Sequence, residues 1–86
     1  MCRGIREKMA QEYKESLEKE RQRKYELLEK WKEGIIDLEE AKELINFLEK
    51  DIKSFEVQKK WEGVIVTALL KMGLEWYIEF NLKKQN

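Results

Sequence analysis

Apolar positions recur along this chain with helical periods almost throughout. Ile5, Met9, Tyr13 and Leu17 step by four, and Tyr25, Leu28 and Trp31 resume the stripe, the spacing of one face of a helix. They predict a long first helix over residues 5–33. Between Leu17 and Tyr25 every residue is polar, and a helix polar all round persists by pairing its charges or by bridging solvent. Glu15–Lys19, Glu20–Lys24 and Glu26–Lys30 stand in the favourable Glu-first order at i,i+4, each pair worth about 0.2–0.5 kcal/mol. The first half of this helix is therefore expected to project from the body.

Gly34 follows Lys30, Lys32 and Glu33, a helix C-terminus with glycine just past its end. Asp37 then caps a second helix, with Glu40 three residues on, a relative of the capping box. So short a connection folds the two helices back as an antiparallel hairpin. The second helix, read over 38–53, has the cleanest period in the chain. Leu38, Ala41, Ile45, Leu48, Ile52 and Phe55 form an a/d stripe, widened by Leu44 and Phe47, and charges occupy the other side.

A third helix is read over 55–82, with Ser54 as its N-cap. Trp61, Ile65, Ala68, Leu69 and Met72 follow helical spacing, while Val64, Val66 and Leu70 make the remaining sides apolar. Only Gly63, Thr67, Lys71, Glu75 and Glu79 form a non-apolar row. So narrow a polar row predicts burial over most of the circumference, as the central helix or as an oligomer interface. Leu74, Trp76, Ile78, Phe80 and Leu82 alternate with Glu75, Tyr77, Glu79 and Asn81, which also suits a C-terminal strand over 74–82. No second strand is evident to pair with it, and an unpaired strand is unstable, so the helix is the favoured reading.

The run from Leu27 to Leu48, and above all Leu27-Leu28-Glu29-Lys30-Trp31-Lys32-Glu33-Gly34-Ile35-Ile36-Asp37-Leu38-Glu39-Glu40-Ala41, resembles the short helical hairpins called SHOCT domains. Those read as an apolar helix end, Gly-Ile-Ile/Leu-Thr, and acidic residues opening a second helix. Asp37 stands here where threonine is usual, and Ala41 near the usual bulky residue. The likeness covers about a quarter of the chain, and 38 residues follow Leu48, whereas such hairpins usually sit near the C-terminus of larger proteins. The resemblance implies oligomerisation or docking rather than catalysis.

Composition narrows the function. The 86 residues allow one small domain, which buries little over about 60% of its unfolded surface and needs further support. One cysteine and no histidine leave neither a disulfide framework nor a histidine base or zinc site. The four glycines are scattered, so no phosphate loop forms. No catalytic, cofactor-binding or metal-ligating residue is expected. Glu12, Glu15, Glu18 and Glu20, like Glu75 and Glu79, sit among lysines and read as solvated faces. Cys2 reads as an unconstrained end residue. The excess of Lys and Glu over Asp, Asn and Gln is the bias of coiled coils and of hot-organism proteins alike.

Net charge is zero but unevenly spread. Residues 1–32 carry 10 basic and 7 acidic side chains, residues 33–56 carry 3 and 8, and residues 57–86 carry 5 and 3. An acidic middle between basic ends suits internal or intersubunit charge matching. Lys19, Arg21, Arg23, Lys24, Lys30 and Lys32 form the basic cluster, the candidate nucleic-acid contact. Interleaved glutamates weaken its field, and the acidic second helix is a poor fit to a groove. The segment Trp61 to Phe80 lacks the basic polar face of an interfacial membrane helix. No uncharged run exceeds Gly63–Leu70, too short to span a bilayer. The start of the chain leads into charge, so a cytoplasmic location is expected.

The expected product is all-α: a long helix, a short turn, an antiparallel amphipathic helix and an apolar third helix, bundle-like or coiled-coil-like. The expected role is a non-catalytic interaction module that associates with itself as a dimer or higher oligomer, with another protein as the further partner class. The alternative is a small nucleic-acid-associated regulator using the basic cluster. The expected core or interface comprises Leu38, Ala41, Ile45, Leu48, Ile52 and Phe55 in the second helix. In the third it comprises Trp61, Val64, Ile65, Ala68, Leu69, Leu70, Met72 and Trp76.

Overall fold

The computed structural model describes the backbone of residues 2–82, with side-chain environments from Ala10 onward. Among the described residues every regular element is helical: α1 (Cys2–Glu33), α2 (Leu38–Val57), α3 (Trp61–Tyr77) and a π-helical turn, Ile78–Leu82. The all-α expectation holds. The alternation at 74–82 carries no strand; it lies on the last turns of α3 and the π-turn that continues them. Ile5, Met9 and the Cys2 thiol lie outside the described side chains.

Two turns of the same design join the three helices. At the end of α1 the Gly34 N–H donates to the Trp31 carbonyl at 3.0 Å and the Ile35 N–H to the Lys30 carbonyl at 2.9 Å. That pair of bonds is a Schellman motif, and its left-handed residue is Gly34, φ +75°. At the end of α2 the Lys59 N–H donates to the Glu56 carbonyl at 3.0 Å and the Lys60 N–H to the Phe55 carbonyl at 2.9 Å. Here the left-handed residue is Lys59, φ 57°. The sequence reading ended the second helix at 53 and capped the third with Ser54. Ser54 instead lies inside α2, which runs on to Val57. No glycine marks the turn, which is why its place was missed.

The capping box opening α2 forms in full. The Asp37 carboxylate accepts from the Glu40 N–H at 2.7 Å, and the Glu40 carboxylate accepts from the Asp37 N–H at 3.2 Å. Such a cap is worth about 1 kcal/mol.

The central helix is α2, not α3. It lies antiparallel to α1 on one side and antiparallel to α3 on another. The core comprises Leu27 from α1, Ile36 from the turn, Ala41, Leu44 and Leu48 from α2, and Leu74 and Ile78 from the C-terminal end. Trp31, Leu38, Ile45, Phe47 and Tyr77 pack around them. Every side chain from Ala10 to Gln22 is exposed. Leu17, 46% exposed, lies along a shallow cleft with Phe47 and Ser54 of α2.

Candidate interaction surface

Helix α3 is apolar on nearly every side, so burial of one face leaves another large apolar face uncovered. At about 100° per residue, Gly63, Thr67, Lys71, Leu74 and Ile78 share one side and Trp61, Ile65, Leu69, Met72 and Trp76 share the opposite one. The first set meets α2. Thr67 is only 7% exposed, and Leu74 and Ile78 are buried. A Cβ on Gly63 would meet Phe55 Cγ and Cδ1 at 2.8 Å, so the absent side chain makes room for the ring. Lys71 reaches Glu49 at 3.3 Å and Glu75 at 3.9 Å.

The second set faces outward, each member between 55% and 66% exposed. Val66 and Leu70 continue the exposed apolar area on one flank, and Trp76 meets Phe80 edge to face with ring centroids 6.2 Å apart. The expected orientation is thus reversed: the narrow small-and-polar row packs inward and the bulky row outward. The physical reason is fit and charge. Phe55 needs a glycine opposite it, and Glu49 draws Lys71 toward α2. Hydrophobicity alone cannot choose a side on a helix that is apolar all round.

The expected core-or-interface residues accordingly divide in three. Ala41 and Leu48 are buried. Leu38, Ile45, Ile52, Phe55, Val64 and Ala68 are half-buried. Trp61, Ile65, Leu69, Leu70, Met72 and Trp76 are exposed. Sequence reasoning missed Leu27, Ile36, Leu74 and Ile78 as core, and Thr67 because it stood in the polar row. Leu27 sits four residues before Trp31, a spacing that marks the same face.

The basic cluster of α1 is divided as well. The Arg23 guanidinium donates to both carboxylate oxygens of Glu43, at 3.2 and 2.9 Å, a fork geometry that lysine cannot reproduce. Its hydrogen bond to Glu43 holds the Arg23 pKa above the usual arginine value. Lys24 donates to Asp51 at 2.8 Å, and Lys30 to Glu40. Lys24 and Lys30 thus reach across to α2 rather than along α1 to Glu20 and Glu26. The Glu40 carboxyl is held below its ordinary pKa, first by the hydrogen bond from Lys30 and then by the Asp37 N–H. Lys19, Arg21 and Lys32 remain exposed.

Among the described residues no group of three or more His, Cys, Asp or Glu is placed to hold a metal ion. Nor is any described helix long and apolar enough to cross a membrane. The tryptophans do not converge on a pocket: Trp31 packs beside Gly73, where a Cβ would meet its ring at 3.5 Å, while Trp61 and Trp76 lie on the outward row.

No protein-family model, curated protein or solved structure matches this chain. The likeness of residues 27–48 to a SHOCT hairpin is thus supported by no family model.

Proposed function

We propose that this protein is a small helical interaction module that associates with itself through the outward face of α3 and carries no catalytic step of its own. The observation behind this reading is the placement of Trp61, Ile65, Leu69, Met72 and Trp76 directly opposite the side of α3 that packs on α2. A contiguous apolar face of this kind is seldom left open on a monomer, and pairing of identical copies about a two-fold is the commonest way to cover one. Each such side chain is already partly covered, so its further burial contributes about 1–2 kcal/mol, support that a three-helix domain needs. The cross-helix pairs of Arg23, Lys24 and Lys30 count against the nucleic-acid reading, because half of the basic cluster already faces carboxylates.

Absolute molar mass by light scattering at micromolar concentration tests the proposal. The expected mass is twice the 10.5 kDa of one chain. Leu69→Glu is expected to halve it with the helical circular-dichroism signal retained, since Leu69 points away from the core. A wild-type mass of one chain overturns the reading.

A further inference from the structure

The outward row has an internal symmetry that specifies how a second copy would sit on it. Trp61, Ile65, Leu69, Met72, Trp76 and Phe80 are spaced 4-4-3-4-4, a pattern that reads the same from either end about a midpoint between Leu70 and Lys71. In a two-fold contact, residue i of one copy meets residue j of the other while j meets i. An antiparallel pair of such helices therefore matches the six positions two by two, with Phe80 set on the π-helical turn that continues α3.

Resting on the self-association proposed above, we infer that two copies pair α3 against α3 in antiparallel orientation, with the two-fold axis at that midpoint. Trp61 then packs beside the other copy's Phe80, Ile65 beside its Trp76, and Leu69 beside its Met72, so each pair fills a comparable volume. The area is commensurate: six side chains, each more than half exposed, offer several hundred Å² per copy, the order of the roughly 800 Å² each partner contributes to an interface of standard size.

The helix dipole favours the same orientation, since antiparallel pairing sets the N-terminus of each α3 beside the C-terminal end of the other, whereas parallel pairing aligns like ends.

Spin-label distances distinguish the arrangements. In a Cys2→Ser background, nitroxides are placed one at a time through Glu62→Cys and Gly73→Cys, both exposed and both flanking the row. Antiparallel pairing places the Glu62 labels about 25–30 Å apart, at a rise of about 1.5 Å per residue, and the Gly73 labels within about 15 Å across neighbouring helices. Short distances at both sites would mean parallel pairing, overturning this inference while leaving self-association intact. A dimer by light scattering with both label pairs far apart would mean another interface and overturn it too. A monomeric mass overturns the parent reading and this one together.

Discussion

The ring of Phe55 lies against Gly63 across the turn between α2 and α3, so close that a methyl group there would meet three ring carbons at 2.8–3.0 Å. This contact aligns the small row of α3 with α2 and thereby sends the bulky row outward. Gly63→Ala is expected to lower stability by about 1–2 kcal/mol, because overpacking of about 1–3 kcal/mol exceeds the gain of up to about 1 kcal/mol from better helix propensity. Gly73→Ala is expected to go the other way, gaining up to about 1 kcal/mol, since its Cβ would meet the Trp31 ring at an ordinary 3.5 Å. Urea midpoints at one fixed protein concentration compare the two, and equal shifts would show that the Phe55 contact does not decide the packing.

Lys59 holds a left-handed conformation that costs an ordinary residue about 1 kcal/mol or more. Lys59→Gly is expected to raise stability by about 0.5–1 kcal/mol, with Gly34→Ala lowering it by a similar amount or more at the corresponding position of the first turn. Thermal unfolding of the two variants in parallel checks the sign of each.

Acid should weaken the α1–α2 hairpin through Glu40. Its carboxyl binds its proton less readily folded than unfolded, so its contribution is complete above the ordinary carboxylate range and is lost as pH falls through the lowered folded value. Melting temperatures from pH 7 down to pH 3 are expected to fall for the wild type. The gap between wild type and Glu40→Gln should close at the acid end. A gap that stays constant would show that the ionised form carries no advantage.

Because Arg23, Lys24 and Lys30 are committed to α2, duplex DNA should bind no more tightly than the non-specific range of about 10⁻⁴–10⁻⁶ M near physiological salt. A fluorescence-anisotropy titration that gives submicromolar, salt-dependent affinity would return the basic cluster to a functional role.

Leu17 shares its cleft with Phe47 among mostly charged side chains, and a half-exposed leucine there contributes little. Leu17→Glu is expected to change stability by less than about 1 kcal/mol and to leave the molar mass unchanged, in contrast to Leu69→Glu. A large loss would show that α1 docks along its length.

What was legible in the residues was local. The α1 stop at Gly34, the Asp37–Glu40 cap and the amphipathic stripe of α2 each depend on groups within four or so positions of one another, so spacing alone reveals them. Three features waited on the assembled chain. The second turn falls at Lys59, where no glycine signals a left-handed residue, and its energy is supplied by the helices it joins. Lys24 and Lys30 each have a carboxylate four residues back on α1 and another across the groove on α2. The two options differ little in energy, and the placement of α2 decides between them. The side of α3 that faces inward was illegible for the most general reason. A helix apolar all round carries no direction in its hydrophobic period, and only the seat of Phe55 on Gly63 and the reach of Lys71 to Glu49 supply one.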